Sequence, residues 1–242
     1  MGMKGEDEDI FHPRAYPAQN RYAPPPRVLY LQPPRYTGPK TSAREILDLG
    51  IAVAVLTVVF GMPYGGVMTL LGEPLGRIEV LFGTALVAVM LSIFPHELAH
   101  KFMAQRYGCW AEFRRSDYFI GISLLFSLFN GFGIAGAGAV MIAGPVTTES
   151  NGKISAVGPA TNALMGALLF PVAILAAPHT PLRSLAALIV WVNVGLGIFN
   201  MLPVWILDGK KIWNWNVAAY IGLFALLVVL GAGVYMSGIL FS

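Results

Sequence analysis

The sequence predicts an all-α polytopic membrane protein of about five to six transmembrane helices. A small β or irregular membrane-associated element is expected between the second and third core helices. Three observations carry this. The 242-residue chain has a mean hydropathy of +0.65. It is 56% hydrophobic and only 12% charged, about half the charged share of a soluble domain, roughly 25%. Its apolar residues are gathered into long runs, and a helical span of the bilayer core takes about 20 of them.

The formal charge of +3 is too small to point to nucleic acid, so the implied partner of this surface is the lipid bilayer. Cys109 is the single cysteine, which leaves no intrachain disulfide and no Cys-based zinc site. The start of the chain, "MKGEDEDI", is acidic and lacks the basic start and short apolar core of a signal peptide.

Residues 1–41 hold eight of the 17 prolines, as in "APPPRVLYLQPPRY". Proline cannot continue a helix, and this composition cannot bury a core. An extended or disordered cytosolic tail is expected, with a plain linker as its simplest role. "SARE", Ser42 to Glu45, is a capping box before an apolar run. The first helix is expected over about Ala43 to Leu71, kinked or interrupted at "MPYGG", Met62 to Gly66. A second runs from about Ile78 to Tyr107, with Gly108 expected to end it.

"CWAEFRR" alternates enough for a short strand, and "YFIGISLLFSLF" is apolar but too short to span, so an interfacial or re-entrant element is expected. The Gly-rich "GFGIAGAGAVMIAG" suits a small sheet or irregular packed backbone. "PVTTESNGKIS" reads as a turn-rich polar excursion. Three further spans are expected over about Pro159 to Ala177, Leu182 to Leu207 and Trp215 to Phe241, the first two joined by a tight turn at "PHTP".

Basic residues favour the cytosolic ends of spans. Lys40 and Arg44 precede the first helix, Lys101, Arg106, Arg114 and Arg115 follow the second, and Lys210 and Lys211 follow the fourth span. The opposite loops hold only Arg77 and Arg183. The N-terminus is therefore expected in the cytosol, with the second helix and the span ending near Leu207 both running inward.

The stretch "LSIFPHELAH" places His96, Glu97 and His100 at the end of an uncharged apolar run. Residues four apart on a helix are separated by about 400°, so both imidazoles share one face, about 40° apart. That spacing lets two nitrogens bind one Zn²⁺ while Glu97, beside the first, acts as general base without binding metal. An unpaired charge at bilayer depth costs about 2.5–3.5 kcal/mol, so the cluster needs a reason. The alternatives are a buried structural ion pair or a transporter's proton relay.

A catalytic zinc needs a third protein ligand. His12 lies in the tail and His179 in the loop on the predicted opposite side. Asp208, in "NMLPVWILDG", is the candidate, since its span runs in the same direction as the HELAH helix and ends at a similar depth. The other reading of Asp208 is an interfacial carboxylate ending a helix beside Gly209 and Lys210. Asn193 and Asn200 share a helix face, either as interhelical bridges or orienting the neighbourhood of Asp208. Pro95 removes a helical N–H directly before His96, either freeing a carbonyl inside the site or making a simple packing kink.

Three ordered blocks, "HELAH", "GPATN" (Gly158 to Asn162) and "NMLPVWILDG", make the chain resemble the site-2 protease family of intramembrane zinc metalloproteases, peptidase family M50. The resemblance covers roughly Leu81 to Lys211, and "GAVMIAG" and "GKISAVGP" also look like family sequence. It implies a tail over 1–41 and a transmembrane metalloprotease domain over 42–242, with a core at about 78–211. It implies one catalytic Zn²⁺ on His96, His100 and Asp208, Glu97 as the catalytic base, and Asn162 holding the substrate backbone. Asn200 is a further candidate for substrate positioning. The implied activity is hydrolysis of peptide bonds in or near transmembrane segments of a membrane-protein substrate, with the active site nearer the cytosolic side.

The chain departs from the family in having Ile206 where Pro often precedes L-D-G, and "DGKK" where D-G-G or D-G-x-R is frequent. No inserted PDZ-like domain is visible. The alternatives are a membrane-bound zincin of another type cutting soluble or unfolded chains, or a non-proteolytic metal-binding transporter or binding homologue. No oligomeric state follows from the sequence.

Overall fold

A computed structural model describes residues 41–131, 133, 136–204 and 206–239. The Pro-rich tail over 1–40 lies outside the described residues, and so do Phe132, Ile134, Ala135, Trp205 and residues 240–242. The described elements are eight helices and one two-stranded sheet.

Helix α1 (Ala43–Gly61) starts at Ser42, whose hydroxyl accepts the Glu45 backbone N–H. Only half of the expected capping box forms. The Glu45 carboxylate turns away from Ser42 to meet Lys101 and the Phe113 backbone N–H. Pro63 forces Met62 into extended backbone, so "MPYGG" interrupts the first helix. It leaves a one-turn helix, α2 (Val67–Leu70).

Helix α3 (Leu75–Arg106) has 32 residues, about 48 Å at 1.5 Å per residue and ample for a ~30 Å hydrocarbon core. Strand β1 (Trp110–Arg115) pairs antiparallel with β2 (Gly138–Ala143), from Trp110 opposite Ala143 to Arg115 opposite Gly138. Between them lies α4 (Asp117–Asn130), capped by Ser116 and ended by Gly131 in the left-handed region. At 14 residues it is about 21 Å long and too short to cross.

Helix α5 (Thr148–Leu175) begins well before the expected span. The polar "ESNGKIS" is helical because Thr147 and Ser150 form a full capping box. After the turn at His179, which takes a positive φ of 59°, come α6 (Pro181–Asn200), α7 (Asp208–Trp215) and α8 (Val217–Met236). The fourth expected span, drawn to Leu207, stops at Asn200, and a loop carries the chain to Asp208.

Among the described residues, α3, α5, α6 and α8 are long and apolar enough to cross a membrane. Helix α1 is a fifth, 19-residue helix, with Arg44, Glu45 and Asp48 near its start. The protein is an all-α polytopic membrane protein with a small sheet. Its core joins α1 to α3 through Leu56, Val89 and Ile93, and α5 to α6 and α8 through Ala173, Val190 and Val234.

Candidate metal centre

His96 and His100 lie in the last three turns of α3, and Asp208 is the first residue of α7. All three side chains are buried, 2%, 7% and 7% exposed as residues. His96 Nε2 lies 3.1 Å from His100 Nε2, and Asp208 Oδ2 lies 3.6 Å from the first and 3.0 Å from the second. The rings stand nearly perpendicular, at 83°. The three groups can offer ligand atoms all within 4.8 Å of one another, the one such His/Cys/Asp/Glu cluster among the described residues.

The outer nitrogens explain why the inner ones point together. His96 Nδ1 is 2.6 Å from Asn162 Oδ1, and His100 Nδ1 is 2.7 Å from the Ile154 carbonyl. Both partners only accept, so both Nδ1 atoms carry and donate a proton. In the neutral imidazoles each Nε2 then holds a lone pair. Two lone pairs and a carboxylate oxygen converge on one buried point with no protein donor among them, an arrangement that calls for a cation. This donor set, two imidazoles and one carboxylate, fits Zn²⁺.

Helix α5 crosses directly behind the rings. A Cβ on Gly158 would collide with His100 Nε2 and crowd His96 Cε1, so glycine is the residue that lets α5 approach this closely. Gly209 does the same for the third group: a Cβ there would strike the Met201 carbonyl. Both glycines stand inside the motif blocks, but no spacing rule singles them out.

Glu97 belongs to the wall of a cavity of about 290 Å³ that also exposes His96, His100, Asn200, Asp208 and Lys211. It faces the trio without joining it, and the Val140 backbone N–H of β2 lies beside its carboxylate. Lys211 reaches Asp208 Oδ1 at 3.5 Å. Asn200 lines the cavity, its Nδ2 donating to the Leu196 carbonyl. His179 sits in the turn between α5 and α6, at the far end of both helices from Ile154 and Asn200. His12 falls outside the described residues.

Asn162 differs from what the resemblance implies. It is fully buried and absent from the cavity wall. Its Oδ1 meets His96 and its Nδ2 donates to the Asn193 carbonyl at 3.2 Å. Both ends of the amide are committed to the protein, which leaves it turned away from a substrate backbone in this conformation.

Residues 175–223 match the family model described as peptidase family M50. A protein of Methanocaldococcus jannaschii named "Putative zinc metalloprotease MJ0611" is 32% identical over 185 residues, 75% of this chain and 91% of that one. "Putative zinc metalloprotease Rip3" of Mycobacterium tuberculosis is 33% identical over 129 residues, 52% of this chain and 29% of its own length. No solved structure matches. With this likeness over three quarters of the chain and the HELAH, GPATN and LDG blocks meeting at one buried point, the chain belongs to peptidase family M50, the site-2 protease family of zinc metalloproteases.

Proposed function

We propose that the chain is an intramembrane zinc metalloprotease that hydrolyses peptide bonds in or near transmembrane segments of membrane-protein substrates. The observation that carries this is the convergence of three buried acceptor atoms, from His96, His100 and Asp208, within a body of long apolar helices. The cavity beside them is large enough to admit a peptide segment. His96, His100 and Asp208 would hold the Zn²⁺, which when bound would supply Lewis acidity, lowering the pKa of water to about 7.

This chain's residues do the rest. Glu97 takes a proton from the attacking water as its oxygen bonds to the carbonyl carbon, then delivers that proton to the leaving amine nitrogen as the C–N bond breaks. A helix shields its peptide bonds with its own hydrogen bonds, so the substrate must be extended at the point of cleavage. Among the described residues β2 pairs only with β1, and it lines the cavity, which gives extended backbone an edge to lie along. Asn200 stands on the same cavity wall and is placed to orient that backbone.

Positive charge on Lys101, Arg106, Arg114 and Arg115, and on Lys210 and Lys211, supports a cytosolic N-terminus and an active site nearer the cytosolic face. The tail over 1–41 is then cytosolic, and 42–242 form the protease domain.

Purified protein should hold about one zinc per chain. In liposomes carrying a single-span substrate, Glu97→Gln should keep the metal and lose cleavage. Normal cleavage by that variant overturns the mechanism. Cleavage of soluble unfolded chains with equal efficiency would move the reading to a membrane zincin of another type.

A further inference from the structure

Beginning and ending on α3, a chain of hydrogen bonds passes through two other helices. Pro95 has no N–H to give the Leu91 carbonyl four residues before it. Asn193 of α6 takes that place, with its Nδ2 3.3 Å from the Leu91 carbonyl and 2.7 Å from Ser92 Oγ. The same nitrogen also donates to the Ile189 carbonyl at 2.9 Å. The backbone carbonyl of Asn193 accepts from Asn162 Nδ2 of α5, and Asn162 Oδ1 accepts from His96 Nδ1. The circuit leaves α3 at Leu91 and Ser92 and returns to it at His96, bracketing Pro95.

Every side chain in the circuit is fully buried: Ser92, Asn162 and Asn193 are each 0% exposed. Each amide has its orientation fixed by its partners. Asn162 must aim nitrogen at the Asn193 carbonyl, which leaves oxygen for His96. Asn193 must aim nitrogen at carbonyls that cannot donate, which leaves its Oδ1 without a hydrogen-bond partner among the described residues. Such an orphaned buried acceptor is costly and persists because the nitrogen's three contacts fix the amide.

We propose that Asn162 and Asn193 are positioning residues for the metal centre: Asn162 locks the tautomer and rotation of His96, and Asn193, docked on the carbonyl that Pro95 frees, holds Asn162 in place. Both act through His96 and neither touches substrate. Outer partners of ligating histidines commonly work this way, and losing one costs about 10–100-fold in metal affinity. The proposal rests on the zinc reading of the site, and its test is separate from proteolysis.

The full chain in detergent is titrated with Zn²⁺ against a chromophoric chelator. Asn162→Leu, close in size but without either polar end, should bind zinc about 10–100-fold more weakly. Asn162→Asp, which keeps an oxygen for His96 Nδ1, should recover most of that loss. Asn193→Ala and Pro95→Ala, the second restoring an N–H that competes for the Leu91 carbonyl, should fall toward the low end of the same range.

Should Asn162→Leu fail to fold, those last two variants read the same circuit from positions off the cavity wall. Wild-type zinc affinity in Asn162→Leu, or in folded Asn193→Ala and Pro95→Ala, overturns the proposal. A raised KM with unchanged zinc affinity in an Asn162 variant would instead mark it as a substrate contact. If the wild-type chain itself takes up no zinc, the failure lies in the proposed function.

Discussion

His100 and Lys101 are neighbours on α3 and both are buried, yet they face opposite kinds of polar surroundings. Lys101 enters a structural cluster where α1, α3 and β1 meet. Its ammonium meets Glu45 and the Thr41 hydroxyl, and Glu45 also accepts the Phe113 backbone N–H at 2.9 Å. Glu112 accepts from Ser42 at 2.8 Å and from Arg114 at 2.5 Å, while Asp48 lies 3.3 Å from Arg44 and 3.8 Å from Arg115. Each of these three buried carboxylates has a donor. His100 instead turns to a point shared with His96 and Asp208, where acceptors meet acceptors. A buried polar group that is satisfied by its neighbours holds the fold; a set that converges unsatisfied is waiting for a ligand.

This contrast can be broken from either side. The largest effect is expected at Asp208→Ala, which removes one of the three proposed ligands. Zinc affinity by chelator competition should fall by more than the ~100-fold that outer partners cost, activity should vanish, and the unfolding midpoint of the metal-free protein should barely move. Glu97→Gln should lower turnover by about 10²–10⁴-fold while zinc stoichiometry stays at the wild-type level.

In the structural cluster the pattern should invert. Lys101→Met strands Glu45 and should cost about 3–5 kcal/mol of stability in denaturant unfolding. Replacing Glu45 and Lys101 together with Met should recover part of that, short by the Phe113 N–H left without an acceptor. A Lys101→Met protein that unfolds like wild type would remove the distinction between the two regions.

Smaller effects sharpen the boundary. Gly158→Ala pushes a methyl group against both imidazoles, and overpacking of this kind costs about 1–3 kcal/mol. Its signature should be weaker zinc binding with little loss of helicity by circular dichroism. Lys211→Met should matter least. The ammonium is partly exposed and 3.5 Å from Asp208 Oδ1, so its loss should shift zinc affinity by no more than about fivefold, in line with the ≤1 kcal/mol of an exposed pair.

Much of this was legible in the chain because the signals are local. A spacing of four puts His96 and His100 on one helix face wherever the helix sits. Pro63 ends α1, and Thr147 with Ser150 could have been recognised as the start of α5. The polar "ESNGKIS" has the pattern of an excursion, because polarity at a capped helix start resembles that of a loop. Alternation in "CWAEFRR" marks the first strand, while the Gly-rich run ending at Gly144 is compatible with either a small sheet or irregular packed backbone, and the structure makes it β2.

What escaped the sequence are relations between elements. Glu45 looks like the closing residue of a capping box, and its diversion to Lys101 depends on α3 lying 56 positions away in sequence but in contact. Glu112 carries no sequence signal of the Ser42 hydroxyl that donates to it, because that partner is 70 positions away in the chain. Asn162 was legible as part of a motif, but its commitment to His96 depends on the rotation of α5.

The sequence alone determined the class of protein, the two imidazoles on one face, the adjacent carboxylate and the candidate Asp208, since hydropathy and helical periodicity do not depend on distant contacts. Tertiary structure decided whether those groups meet and what stands behind them. Gly158 admits α5 against the rings, Asn193 fills the gap left by Pro95, and Lys101 and His100 part to opposite sides. Those outcomes turn on how helices rotate and pack against one another, and a one-dimensional pattern does not encode the approach of two helices except through the side chains that happen to allow it.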